Sequence, residues 1–566
     1  MRALSPNTAK LLDELERLAH VRVQRPGQDA QVGAIVALLD GLANTAEPLA
    51  IPRIISLVLD RHREVAEAAG RAVARLRRAV KIRDLGLFDR AFRGVSTYAH
   101  PVAVTWRFLR PADLQSVATL TTAATILQLA MCHPSGYVRE EAIRRSAACA
   151  DGSEIAFLLL RVNDWVEPVQ NLARAVLRTR LGVDAIPHLV AALPLIDEMR
   201  RWGRLGGNRI LEEIDAALGG HAALPALYDA LSASDRLVRL GAFRRLLARD
   251  PAELGGRGGA EAPGAPYRGV RLVRFRHEIV EAALRDPDPA IHAWAARWSL
   301  AAGDDVFVPL SGRLVHDRLG SVRLGVVQRL IAHGSPWPWR ELLLDRQAGV
   351  RALAQGAALD AGTDPADEYR GWRSSSHAGV LGIALLGLGE TGGPDDAELV
   401  RAHLADRRPA VRRRALQALC NFQVDDAIAL CLAALADDSP GVTHTARDLL
   451  LARVTSVPPA RVWSVFEQLT TTWGQSDALA VLSATGYWDG LPYLLRACNA
   501  SGGAAKVRAR RYLEARLARR HRVFTAPPPP TADAIRSALA NPAFSDELRR
   551  EIHGVLDTRI RGAGGR

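Results

Sequence analysis

DRRPAVRRRALQAL (residues 406–419) and DDSPGVTHTARDLL (residues 437–450) begin alike: an acid, a short turn, then a β-branched anchor followed four places on by an alanine. They lie in a stretch, 375 to 450, where three consecutive units each read as helix, turn opened by an acid, and second helix. Val380, Val411 and Val442 fall 31 residues apart. A period of this size, with no strand-like alternation between its marks, is the signature of a stacked helical array.

Working outward, the pattern Asp-x-x-x-x-Val-Arg gives eleven units, anchored at Val65, Val138, Val169, Val238, Ile291, Val322, Val350, Val380, Val411, Val442 and Val507. The residue four places after the anchor is Ala69, Ala142, Ala173, Ala242, Ala295, Ala354, Ala384, Ala415 and Ala446; only Val326 and Arg511 depart. A small side chain one helical turn after a β-branched one lets a neighbouring helix come close, so these positions predict the buried stripe.

Five places before the anchor stands Asp60, Asp164, Asp286, Asp317, Asp345, Asp406 or Asp437. Directly after it stands Arg139, Arg239, Arg323, Arg351, Arg412 or Arg508. The aspartate can accept from amides that open the following helix, and the arginine can bridge to the next unit's acid. Asp288-Pro289 and Ser439-Pro440 add a cap followed by a proline at the first helical position. This combination resembles HEAT repeats, particularly the bacterial HEAT-like type of the phycobilisome lyases; residues 387–419, GLGETGGPDDAELVRAHLADRRPAVRRRALQAL, match best. The resemblance implies an all-α superhelix of roughly eleven or more helix pairs, an Asp/Arg ladder along the turns and second helices lining a concave face.

The expected organisation is an N-terminal helical cap at 1–45, a solenoid at 46–520, a proline-rich linker at 521–532 and a short helical tail at 533–566. Wide spacings leave room for degenerate units near 85–115 and 186–218, and residues 458–498 match poorly. The Gly/Pro-rich stretch 255–269 reads as a flexible insertion. Residues 362–378 leave little room for a regular first helix, and the unit at Val507 reads as an end cap. TAPPPPTAD, at 525–533, reads as a stiff spacer.

Composition agrees with such an array. A chain of 566 residues exceeds any single globular core, and 48% hydrophobic with 5% aromatic residues suits closely packed helices. No apolar run approaches the roughly 20 residues that cross a bilayer, and the amino terminus reads as a capped helix, so the expected location is a bacterial cytoplasm. Five scattered cysteines lack any C-x-x-C pair and read as small buried apolar residues. Of the net charge of +13, residues 496–566 contribute +9, so the carboxyl end is basic and the array nearly balanced.

No catalytic constellation emerges, and no cofactor or metal is expected. Gly387, Gly389 and Gly392 match G-x-G-x-x-G but follow a helix, where glycine terminates helices. His277-Glu278 opens like a zinc-protease motif, but Glu281 stands where the second histidine belongs. Arginines recur six or seven places after the anchor, at Arg71, Arg144, Arg145, Arg244, Arg245, Arg297 and Arg329, and could form a basic stripe near the inner surface. Neighbouring acids such as Glu140 and Glu141 would partly neutralise it. Trp294 and Trp298 flank Arg297; Trp337, Trp339 and Trp372 follow. These residues, with a ladder of Asp286, Asp317, Arg323, Asp345, Arg351, Asp406, Arg412 and Asp437, suggest a non-catalytic scaffold that takes an acidic protein partner along the concave face. The alternatives are a nucleic-acid-binding module using the arginine stripe and a HEAT-like enzyme of the DNA glycosylase or bilin lyase class.

Overall fold

The structure is a computed structural model that describes residues 4–24, 31–94, 104–148, 151–202, 209–249, 276–499, 503–523, 525–541 and 544–563. The insertion at 255–269 lies outside them. The described residues are helical throughout, without strands, and the chain divides into two compact units, Met1–Gly312 and Arg313–Arg566. Each is an array of HEAT-like helix pairs.

In the first unit Pro6–Gln24 packs on Val32–Ala43, which packs on Arg63–Arg78. Arg53, on the short helix Ile51–Ile54, ties it to Pro6–Gln24, donating to Glu16 at 2.6 Å and Asp13 at 2.9 Å. Pairs such as Ala123–Ala130 with Gly136–Ser146, and Ile155–Arg161 with Glu167–Thr179, follow. The wide spacing near 186–218 holds the short helices Ile186–Ala191 and Leu193–Met199 and then Arg209–Gly219. In the second unit the helices Ala378–Thr391, Pro409–Asn421, Pro440–Leu451, Thr472–Ala484 and Ala504–Leu517 each pack on the next.

All nine pattern alanines, from Ala69 to Ala446, are 0% exposed. Their anchors are buried as well, except that Val238 and Val380 are half-buried. Packing is tightest between Ala378–Thr391 and Pro409–Asn421, and it explains the glycine triplet. A Cβ on Gly389 would stand 2.7 Å from the Ala418 Cα, and one on Gly387 would strike the Tyr369 ring. Gly392 ends the helix. These glycines are contact surfaces between helices.

The turns are held by a repeated set of hydrogen bonds. Each ladder aspartate accepts the amide two residues on: Asp164 from Val166, Asp286 from Asp288, Asp317 from Leu319, Asp345 from Gln347, Asp406 from Arg408 and Asp437 from Ser439, at 2.7–2.9 Å. The arginine after the anchor places Nε and Nη2 on the next unit's aspartate, in Arg139–Asp164, Arg239–Asp286, Arg323–Asp345 and Arg412–Asp437, at 2.6–2.9 Å. Its Nη1 turns back to the carbonyl six residues earlier, on His133, Ala233, Asp317, Asp345 and Asp406 for Arg139, Arg239, Arg323, Arg351 and Arg412. One arginine thus joins two turns by a planar, charge-assisted fork.

Where the sequence breaks the pattern, the bonds reroute. Ser375 stands at the ladder acid's place, so Arg351 forks onto Glu390 instead. Leu381 stands at the arginine's place, so Asp406 takes Arg408 from its own turn at 2.8 and 2.9 Å.

At four places the structure corrects or adds to the expectation. Residues 362–378 do form a first helix, Pro365–Trp372, because the Asp364 side chain caps Ala366 and Pro365 takes the first position. Residues 458–498 hold a full pair, Pro459–Gln468 and Thr472–Ala484, with Asp477 accepting from Thr443 at 2.8 Å and Arg447 at 2.9 Å. Val507 is 71% exposed; its helix buries Ala509, Leu513 and Leu517 instead. Finally, 521–532 is no free linker and 533–566 no separate tail. Pro529 and Pro530 open the helix Pro529–Leu539, the Trp488 indole donates to the Thr525 carbonyl at 2.8 Å, and Ile535, Leu539, Ile552 and Leu556 join the core formed by Leu491, Leu494 and Leu513. A proline run fits because the first helical turn needs no amide donors.

Three outcomes follow from this packing. Gly389→Ala should lower the melting temperature, because a backbone clash outweighs the roughly 1 kcal/mol of helix propensity gained, whereas Gly356→Ala, with nothing within 4 Å, should raise it. Deleting residues 525–566 should cost the second unit more than about 2 kcal/mol in urea unfolding, since it strips apolar partners from a core. At the fully buried Arg139–Asp164 rung, Asp164→Asn should destabilise the first unit by about 3–5 kcal/mol, because Arg139 is left without its carboxylate and Arg161 keeps only Asp89. Guanidinium partners hold the Asp164 carboxyl below its ordinary value against the opposing effect of burial. Its contribution is therefore complete above about pH 4 and lost as the pH falls through the depressed native value, so the acid limb in a pH series of melts should be shallower in Asp164→Asn than in wild type, where Asp113 and Asp151 also contribute.

Candidate functional site

The helix Pro289–Ala301 begins at Asp288, whose carboxylate caps Ala290 at 2.8 Å. Ile291, Ala295, Ala296 and Ser299 face inward; Trp294 and Trp298, one turn apart, are half-buried, and Arg297 between them is exposed. The Arg244 guanidinium lies 5.8 Å from the centre of the Trp294 ring, a cation–π arrangement.

The rest of the arginine stripe is not a bare ledge. Arg144 donates to Glu140 at 2.7 Å and also to Glu141, Arg145 reaches Glu141 at 2.7 Å, and Arg245 reaches Asp197 at 3.0 Å. Arg71 stands 4.0 Å from Asp40. Arg329 belongs to the second unit, on Gly320–Ala332. Acids on the same or a neighbouring helix take up most of the charge expected to await an acidic partner.

Among the described residues, the most exposed aromatic side chains lie elsewhere. Phe108, Tyr137 and Trp165 are 72%, 78% and 63% exposed, on three successive turns of the first unit. Those turns touch. The His133 Nε2 meets the Trp106 carbonyl at 2.7 Å, a Cβ on Gly136 would meet Val166 at 3.2 Å, and Arg139 lies 5.6 Å from the Trp165 ring centre. The ladder that positions Asp164 thereby also positions Trp165, its neighbour in sequence. Beside Trp165 opens a recess of about 260 Å³, lined by Asp89, Arg93, Arg161, Asp164, Glu198 and Trp202. Nothing in the repeat pattern pointed to these aromatics; the one available signal was bulk, a Trp and a Tyr at turn positions next to the ladder acid and the anchor.

The remaining candidates are structural. Four free cysteines, Cys132, Cys420, Cys431 and Cys498, are buried, while Cys149 lies outside the described residues. Burial pushes the Cys498 thiol up to about 11 and the Cys132 thiol up as well, so neither is a thiolate at neutral pH. Tyr369, pushed up to about 12 by burial, donates to the Leu343 carbonyl at 3.0 Å. His277 and Glu278 ride on Arg276–Leu284, and no group of three or more metal-ligating side chains occurs among the described residues. No described helix is long and apolar enough to cross a membrane. A recess of about 1030 Å³ in the second unit is wide and open. Its Glu390 is held by Arg351 and its Arg453 donates to the Cys420 carbonyl.

No family model matches this chain, and no curated protein does. Among solved structures it is similar to importin beta (13% identity, TM-score 0.34, 97% of this chain and 83% of that one). It is also similar to Kap121p bound to Nup53p (11% identity, TM-score 0.31, 92% of this chain), of which it spans only 57%. A third is human deoxyhypusine hydroxylase (18% identity, TM-score 0.18, 54% of this chain and 98% of that one). At these levels function has to be argued from the chain's own side chains.

Proposed function

We propose that this chain is a non-catalytic scaffold or adaptor that seats a protein partner on the first unit. The observation that carries the reading is the run of exposed aromatics, Phe108, Tyr137 and Trp165, the last two beside the turns joined by the Arg139–Asp164 fork. Rigid aromatic side chains lose little conformational entropy on binding and dominate interface energetics, and a soluble surface rarely exposes three large rings on adjoining turns without a use for them. The charged recess beside Trp165 supplies polar partners for a side chain that follows the rings in. Trp294 and Trp298, with Arg297, form a second contact of the same Trp-and-Arg composition. An acidic partner is not required, because most of the arginine stripe is already paired within the chain.

The test is affinity capture from the cells that make the protein, with wild type beside Tyr137→Ser/Trp165→Ser. A protein retained by wild type should be lost at least tenfold from the double variant, about 1.4 kcal/mol or more of binding, at an unchanged melting temperature. Capture of the same proteins by both would remove the aromatic turns from the reading. Trp294→Ala/Trp298→Ala, carried in parallel, reports on the second contact.

A further inference from the structure

The helix Ala504–Leu517 in the second unit turns two faces to two different tasks. Its inner face, Ala509, Leu513, Arg516 and Leu517, is buried. Arg516 acts there as a fixed pin: Nη1 donates to the Gly486 carbonyl at 2.8 Å and to that of Tyr487, and Nη2 donates to the carbonyl of Ser483 at 2.8 Å and to those of Leu482 and Thr485 at 3.2 Å. Those carbonyls belong to the end of Thr472–Ala484 and the turn after it, so the helix is held against its neighbour rather than left to swing. Burial draws the Arg516 guanidinium down to about 10, which leaves it charged at neutral pH.

The outer face is almost wholly cationic. Lys506, Arg508, Arg510 and Arg511 are exposed, and Arg519, Arg520 and Arg522 continue the run past the helix end. Two acids answer them: Glu514 stands 3.4 Å from Arg510, and Glu551 stands 3.0 Å from Arg520. Among the described residues no carboxylate lies within ion-pair distance of Lys506, Arg508, Arg511 or Arg519. In contrast to the arginines of the first unit, these four have been left unneutralised on a rigid support.

We propose that this face binds the phosphate backbone of a double-stranded nucleic acid, without reading its sequence. The helix is about 21 Å long, and a duplex offers about one negative charge per 1.7 Å along its axis, so several cations can meet phosphates at once. A protein interface needs an apolar or aromatic centre, and a membrane surface needs side chains to insert; the only large apolar residue exposed on this face is Val507. Single strands are held by stacked aromatics, but Tyr512 is half-buried. What remains is charge alone, wrapped around the exposed side of one helix and the segment after it. The proposal concerns the second unit and stands whether or not a protein seats on the aromatic turns of the first.

The full chain is titrated against two fluorescent 20-base-pair DNA duplexes of unrelated sequence, with anisotropy read from about 50 to 200 mM salt. Binding should be equal for both within about threefold, and log Kd should rise with log salt at a slope of about 3 to 4, as four phosphate contacts require. Lys506→Glu/Arg508→Glu/Arg511→Glu should lose at least about tenfold in affinity and most of the slope at an unchanged melting temperature, while Arg508→Lys/Arg511→Lys should stay within about threefold of wild type. No binding at about 50 mM salt, a slope below about 1, or full binding by the triple reversal would overturn the proposal. So would tighter binding to a polyglutamate peptide or to phosphatidylserine vesicles than to the duplexes.

Discussion

The arginine that follows the anchor valine at Arg139, Arg239, Arg323, Arg351 and Arg412 is the interaction on which the rest depends. Packing of alanine against alanine brings helices close but does not fix how far one pair slides along the next. The fork from arginine to the next unit's aspartate supplies that register, and the same guanidinium ties back to its own turn through Nη1. The aspartate completes the device by holding the amide that opens the second helix. A buried ion pair is costly to desolvate, and this one is compensated because every donor of the fork has an acceptor in place. Turns built this way are rigid enough to carry large exposed side chains in fixed positions.

Two of the breaks in the ladder are informative because they fall on the most tightly packed pair. Where Ser375 and Leu381 replace the acid and the base, Glu390 and Arg408 enter from other positions and keep each remaining charge paired. In the same helix Gly387 and Gly389 allow Tyr369 and the backbone at Ala418 to come within contact distance. Register lost from the turn is regained from shape along the helix. Asp477 does similar work in the following repeats, binding Thr443 and Arg447 where no arginine follows the anchor.

Charge is spent in opposite ways in the two units. In the first, arginines on the second helices are matched by Glu140, Glu141 and Asp197, and what stands free on the turns is aromatic. In the second, the cations of Ala504–Leu517 and the segment after it are matched by only two acids. A net charge concentrated in the last seventy residues is thus an accessible surface property and not a sum of internal pairs.

The repeat, the buried alanines and the partners in the ladder could be read directly from residue types and spacing, because a periodic array makes every local contact recur at a fixed interval. The first helix at Pro365–Trp372 and the pair at 459–484 were hidden because helices short of the pattern are stabilised by their neighbours rather than by their own apolar period. The prolines at 527–530 read as a spacer; the packing of Ile535 and Leu539 in one core with Leu494 makes them a helix start. The same holds for the surface. Sequence placed arginines at regular positions, but whether each cation faces solvent or a carboxylate depends on side chains brought in from other turns, and that is a property of the folded chain alone.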